Sequence, residues 1–288
     1  IQCCLKMTLT GITNKLYLNP LIIIGAVLLS LISLMSFQAQ LLTDATPFGM
    51  NISEIRQAPS LAHPFGTDGV GRDVLARIAY GGQLSPQIAG AGMIGSLLVG
   101  SIAGLLAVFA PKPIRWVVER VIDIQLAFPY VLLAIAITSA VRPSTGVLIF
   151  LMVLAGWAAS ARVVRSIALQ ERGKDYVKAA AVLGTPKLRV VMLHIFPTIW
   201  PSIVVLAAMQ MAAMIVFEAT LSFLGMGIQP PTPSWGGIML DGKKFITSSW
   251  WLTTLPGLAI VLTSLSLILI GEGLQKRSLL MRSRESDT

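Results

Sequence analysis

The chain has 288 residues, 55% of them hydrophobic and only 12% charged, with a mean hydropathy of +0.77. Soluble domains carry about twice that charge, which excludes a water-soluble globular fold. The net charge of +9 is accompanied by no nucleic-acid-binding motif, and its distribution along the chain accounts for it otherwise.

In chain order, six apolar runs approach or exceed the 18–20 residues that cross about 30 Å of hydrocarbon, roughly at 20–38, 86–110, 124–141, 146–164, 199–222 and 252–271. The first is read as a retained span, being too long for a signal-peptide core and lacking a small-residue cleavage site. Ile1 in place of Met suggests an N-terminus that is missing or edited. The expected fold class is all-α, a polytopic membrane protein of six transmembrane helices. Its divisions are a cytoplasmic N-terminus at 1–19, a first transmembrane helix at 20–40, an external loop at 41–85, a core of five helices at 86–272 and a cytoplasmic tail at 273–288. The core contains a cytoplasmic loop at 166–194 and an external loop at 225–250. With the N-terminus inside, sixteen Lys and Arg residues face the cytoplasm and six face outward, as positive charge is ordinarily distributed.

Three segments outside the spans carry information. In the first external loop, Gly66, Gly69 and Gly71 permit turns that other residues resist. Asp73 is placed to pair with Arg72 and Arg77, and Val74, Leu75, Ile78 and Ala79 form a helical stripe with two readings, a segment on the membrane surface and, favoured, an ordinary capped surface turn leading into a helix. In the cytoplasmic loop, Asp175 to Gly184 is a short helix with three alanines at 179–181, a glycine cap at Gly184 and a stop at Pro186. Two readings are open for it, a docking surface for a partner protein and an interfacial linker. In the last external loop, Gly225, Gly227, Pro230, Pro231 and Pro233 interrupt any helix, and Trp235, Trp250 and Trp251 fit an aromatic belt.

Within the spans, Gln210 and Glu218 are candidates for a translocation path, a hydrogen bond to a loop backbone being the alternative for Glu218. Gly100 and Gly104 form a GxxxG spacing for close helix packing, within the chain or against a twin. Pro129, Pro197 and Pro201 are expected to start or kink their spans. Cys3 and Cys4 lie on the cytoplasmic side, where a structural disulfide is not expected. His63 and His194 fall on opposite membrane faces, so no metal site is expected. Gly173-Lys174 is followed by Asp175 and lacks the upstream glycine of a phosphate-binding loop, so no ATP hydrolysis by this chain is expected.

Three motifs carry a family resemblance across roughly residues 15–272. They are His63-Pro-Phe-Gly-Thr-Asp-x-x-Gly-Arg-Asp-Val-Leu-x-Arg77, then Tyr176-Val-Lys-Ala-Ala-x-x-Leu-Gly184 with Pro197 thirteen residues on, and Leu221-Ser-Phe-Leu-Gly-x-Gly-x-x-Pro-Pro-x-Pro-Ser-Trp-Gly236. The chain resembles the second permease subunit of bacterial ABC importers of the dipeptide, oligopeptide and nickel class. The resemblance implies a type I importer permease fold in the inner membrane, an external-loop motif at Gly66, Thr67, Asp68, Gly71, Arg72 and Asp73, and a coupling loop named for its Glu-Ala-Ala core. Asp175, Lys178, Ala179, Ala180, Gly184 and Pro197 would link that loop to the ATPases. The implied partners are a homologous permease, two cytoplasmic ATPases that bind ATP and magnesium, an external solute-binding protein and membrane lipids; this chain itself would bind no cofactor. Two departures stand out: Lys178 replaces the usual Glu, and Gly271-Glu-Gly-Leu-Gln-Lys lacks the usual Asp-Pro ending. Expected cargo is short peptides, then nickel or metal–chelator complexes, then glutathione or modified peptides. A stand-alone secondary transporter would need intramembrane ion carriers and inverted repeats, neither of which is evident. A membrane scaffold would have no use for the coupling segment.

Overall fold

The computed structural model describes residues 19–38 and 45–286, and the readings of Cys3, Cys4, Lys6 and Lys15 lie outside these. Among the described residues the chain is helical without a strand: α1 (Pro20–Phe37), α2 (Val74–Phe109), α3 (Lys112–Ala127), α4 (Tyr130–Ala140), α5 (Thr145–Arg172), α6 (Asp175–Val182), α7 (Lys187–Val190), α8 (Phe196–Phe223), α9 (Trp235–Gly242) and α10 (Trp251–Ser286). Five segments are long and apolar enough to cross a membrane, α7 and α8 counting as one; α3 and α4 supply a sixth if that bent pair is a single span.

Each boundary has a local cause. Asn19 accepts the Leu21 N–H ahead of Pro20, which fixes the first turn of α1. Asp73 does the same for α2 through the Ala76 N–H, and α2 therefore starts at Val74, not near residue 86. Pro86 lies inside it and does not end it. A proline loses one backbone bond, but neighbouring helices hold the segment straight enough to continue. The stripe of Val74, Leu75, Ile78 and Ala79 is buried in the protein core, not spread on the membrane surface.

The third apolar run is not one straight span. Pro129 pushes Phe128 into an extended conformation, and α3 meets α4 at 87°. With 11 residues, α4 is roughly 16 Å long at 1.5 Å per residue, about half of what a bilayer requires. The last helix overshoots instead, since α10 runs through Pro256 and past residue 271 to Ser286.

Helices pack closely where glycines line the contact. A Cβ on Gly100 would lie 2.7 Å from the Trp157 carbonyl, and one on Gly104 would lie 2.7 Å from that of Ala161. The GxxxG spacing is thus used inside the chain, between α2 and α5. A similar contact seats α1 on α10, where a Cβ on Gly25 would be 2.6 Å from the Ser266 carbonyl. The main core gathers Val74, Ile78, Leu148, Met152, Ile215, Leu221, Trp235 and Leu252 from five helices. A second cluster, with Val164, Val177, Val190, Ile195 and Ile199, lies at the opposite pole and ties α6 and α7 to the bundle.

Candidate functional site

At one pole, segment 45–73 and segment 225–250 are clasped together by charge. Asp68 is 1% exposed and accepts the Val70 and Arg72 N–H groups, each at 2.9 Å. It also takes Arg72 Nε at 2.6 Å and Arg77 Nη1. Both guanidiniums reach on to Asp241 of α9, at 3.2 and 3.0 Å. Burial alone would raise the Asp68 pKa, but the two backbone N–H groups and the Arg77 charge hold its carboxyl below the usual range. The expected pairing of Asp73 with Arg72 and Arg77 is replaced, because Asp73 is turned towards the start of α2 as its cap. Its second oxygen lies 2.8 Å from His63 Nδ1. His63 Nε2 lies 3.3 Å from Glu54, and the hydrogen bond to Asp73 raises the His63 pKa, against the lowering effect of burial.

The turn at 68–72 depends on Gly71, whose φ of +78° is unfavourable for other residues and whose Cβ would fall on the Asn51 carbonyl. Thr67 Oγ1 accepts the Gln57 N–H at 2.8 Å and donates to the Glu54 carbonyl. Two of the three tryptophans assigned to an aromatic belt are internal pins. Trp235 is fully buried and donates to the Ile78 carbonyl at 2.9 Å; Trp251 is 5% exposed and donates to Thr67 at 3.2 Å. Trp250 alone of the three is exposed. No motif marked Asp241, although it is the sole carboxylate in residues 225–250.

Between α4, α5 and α8 an open groove of about 370 Å³ is lined by Tyr130, Gly156, Ser160, Gln210, Met214 and Phe217 among others. The Ser160 hydroxyl donates to Gln210 Oε1 at 2.7 Å, and no formally charged side chain reaches the wall. Gln210, Ala213, Met214 and Phe217 recur at helical spacing on one face of α8. Glu218 is one residue and about 100° further round, and it does not share that face. It is fully buried and accepts the Ser222 hydroxyl at 2.7 Å. The two path candidates are therefore separated: Gln210 lines the groove, and Glu218 is buried away from it, bonded to Ser222 one turn on along α8 rather than to a loop backbone.

At the other pole, α5 ends at Arg172 and α6 follows almost at once. Gly184 has φ +74°, and the Leu183 and Thr185 N–H groups return to Ala179 and Ala180 at 3.0 and 3.1 Å, which closes α6. Val177 is buried and Ala180 half-buried against the second cluster, while Val182, Leu183 and Leu188 are 87%, 84% and 74% exposed. Lys178 is held by Asp175 at 2.9 Å on the exposed side of α6. Buried Glu171 binds Lys174 at 2.8 Å and the Tyr176 hydroxyl at 3.1 Å, which sets the angle at which α6 leaves α5. Between α7 and α8 the chain widens into a π turn at Val191–Ile195, where the Phe196 N–H reaches Val191. Pro197 has no N–H to offer Leu193, the acceptor of a strict α register, so the wider turn costs little there. The His194 ring stacks on Tyr176 at 6.5 Å, linking this turn back to α6.

A glycine-packed bundle of long apolar helices, with a charge-clasped pole and the apolar Val182, Leu183 and Leu188 exposed at the other, defines a multi-pass membrane protein with a groove along its side. Residues 96–278 match the family model of binding-protein-dependent transport system inner membrane components. The chain is 36% identical to the dipeptide transport system permease protein DppC of Alkalihalophilus pseudofirmus, over 91% of this chain and 86% of that one. It is 39% identical to DppC of Escherichia coli K12, over 76% and 73% of the two chains. A chain of the MetNI methionine ABC transporter, captured in an inward-facing conformation, aligns with a TM-score of 0.55 at 14% identity, covering 69% of this chain and 96% of that one. The protein belongs to the binding-protein-dependent transport system inner membrane component family.

Proposed function

We propose that the chain is one of two permease subunits of an ATP-driven importer of short peptides. The N- and C-termini face the cytoplasm, and the clasped pole faces outward to receive solute from a binding protein. The cytoplasmic ATPases hold ATP and magnesium, and this chain contributes no catalytic group. Two relatives named for dipeptide transport support peptide cargo over nickel. The observation that carries the coupling role is the exposed trio of Val182, Leu183 and Leu188, which spans the end of α6, its closing turn and α7, with Val177 and Val190 of the same helices buried against the core. Apolar side chains left in water at 74–87% exposure gain from being covered, at about 25 cal/mol per Å².

In this reading the ATPase pair grips α6 and the Gly184 turn. Closure of the pair on ATP moves that grip, and the Glu171–Lys174–Tyr176 contacts transmit the displacement into α5. The His194–Tyr176 stack transmits it into α8. These two helices form the groove containing Ser160 and Gln210, so displacement at the pole changes access to the groove. ATP shifts the conformational equilibrium only by its difference in affinity for the two states. Lys178 is paired with Asp175 on the exposed side of α6, so both charges are open to the ATPase.

The test is Leu183→Glu and Gly184→Pro in the reconstituted transporter, with ATP hydrolysis and labelled-dipeptide uptake measured together. Leu183→Glu is expected to release the ATPases from an otherwise folded permease. Gly184→Pro cannot adopt a positive φ and is expected to leave hydrolysis without uptake. Wild-type uptake by both variants refutes the coupling assignment.

A further inference from the structure

Beside the 171–197 segment, at the pole opposite the clasp, lies a smaller pocket of about 220 Å³ that shares the α6–α7 turn with the proposed ATPase contact but has cations to which the transport cycle assigns no role. Its wall joins the end of α2, the first turn of α3, the end of α5 and the α6–α7 turn. Three cations line it, Arg115, Arg172 and Lys187, together with the Thr185 side chain and the apolar Val108, Phe109, Val177 and Val190, and no carboxylate. Arg172 is oriented by the bond from its Nη1 to the Val108 carbonyl at 3.2 Å. Among the described residues, Arg115 and Lys187 have no ion-pair partner, and the Thr185 hydroxyl has no hydrogen-bond partner. The acidic groups that could have neutralised them are engaged elsewhere: Glu119 holds Arg165, Glu171 holds Lys174, and Asp175 holds Lys178.

We propose that this pocket binds a phosphate group, with the two guanidiniums, the Lys187 ammonium and the Thr185 hydroxyl as donors. Guanidinium and ammonium groups converging without a carboxylate suit a tetrahedral anion with several acceptor oxygens. The surroundings favour a phosphate carried by a lipid. α2 ends here in the apolar Val108 and Phe109, followed by Ala110, and α3 runs on from the pocket with Ile114, Val117 and Val121 about half exposed at helical spacing, as an interfacial helix presents its apolar face to acyl chains. Basic pockets between helix ends on the cytoplasmic side suit anionic headgroups, each cation contributing about 1 kcal/mol or roughly fivefold in affinity. The proposal rests on the orientation proposed above, with this pole cytoplasmic, and not on peptides being the cargo.

The purified transporter complex in detergent is titrated with dihexanoyl phosphatidylglycerol, dihexanoyl phosphatidylcholine and inorganic phosphate, and the thermal unfolding midpoint is followed. Wild type is expected to show saturable stabilisation by phosphatidylglycerol at lower concentration than by phosphatidylcholine. Arg115→Gln and Lys187→Gln should each weaken it about fivefold and their combination about 25-fold, whereas Lys244→Gln at the opposite pole leaves it unchanged. Stabilisation by phosphatidylglycerol alone assigns the source to lipid, and an equal response to inorganic phosphate assigns it to the free ion. No saturable response to either, or an undiminished one in the double variant, overturns the proposal. So does loss of the ATPase subunits from the double variant with phosphatidylglycerol affinity intact, which would give the pocket to a carboxylate of a partner.

Discussion

Replacing Asp68 by alanine tests the charge clasp most directly. The substitution removes a buried carboxylate that meets two backbone N–H groups and both Arg72 and Arg77. Arg77 is 3% exposed and would keep only Asp241, which is itself about a third exposed and shared with Arg72. Breaking a buried ion pair by deleting one partner costs about 3–5 kcal/mol, because the remaining charge is left without compensation. Asparagine keeps an acceptor oxygen for the loop N–H groups and loses only the charge, so Asp68→Asn should fall at about half that cost. At about 2–4 °C per kcal/mol for a chain near this size, Asp68→Ala should lower the unfolding midpoint in detergent by roughly 10 °C and Asp68→Asn by roughly 5 °C. The assay is thermal unfolding of the purified protein alongside limited proteolysis at residues 45–73. A midpoint within about 2 °C of wild type for Asp68→Ala, with that segment still protected, would refute the assignment of Asp68 as the hub of the pole.

The same pole should respond to pH through His63. Its folded pKa is raised, so its contribution is fully present below about 6.5, the unfolded value, and is lost as pH rises through the higher folded value. The unfolding midpoint should therefore drop across that window in wild type, and His63→Gln should remove this component; an unaltered pH profile in the variant counts against the Glu54–His63–Asp73 bridge. Trp235→Phe keeps most of the buried ring and loses the indole bond to the Ile78 carbonyl, which retains its helical partner, at about 0.5–1.5 kcal/mol, whereas Trp235→Ala should cost about 3–5 kcal/mol. Denaturation that orders these two variants the other way would exclude the pin. Ser160→Ala removes the donor to Gln210 in an open groove, so stability should change by no more than about 1 kcal/mol while the KM for dipeptide uptake rises. An unchanged KM would separate the groove from the path.

Much of this architecture could be read from hydropathy alone, since a long apolar run in a lipid solvent has few alternatives to a helix. What hydropathy missed lies at the helix ends. Residues 74–85 are too mixed in polarity to register as part of a span, yet Asp73 caps them and Trp235 packs over them, so they extend α2 by more than three turns. In the third run Pro129 marked where a start or kink was expected but not the 87° of the bend, because a proline biases its predecessor without fixing the angle that follows. The Gly184 cap was legible because a glycine two residues before a proline has a local meaning. Asp241 was not legible, as its role depends on two arginines more than 160 residues away. The tryptophans misled for a similar reason: residue type gives an affinity for interfaces, and only the fold decides whether the indole meets lipid or a carbonyl. Lys178 stood out as a departure from the expected Glu, and its exposed pairing with Asp175 three residues back went unmarked although the helical spacing makes it readable.

The clasp also sets an order of events during synthesis. Arg77 and Asp68 are nine residues apart and leave the ribosome together, so that half of the network closes within the first loop. Asp241 follows 164 residues after Arg77, a delay of roughly 8–30 s at 5–20 residues per second. For that interval Arg77 rests on a single carboxylate while α3, α4, α5 and α8 are inserted. The pole is sealed only when α9 arrives, and a nascent chain that stops short of α9 leaves that surface open to the cell's quality control.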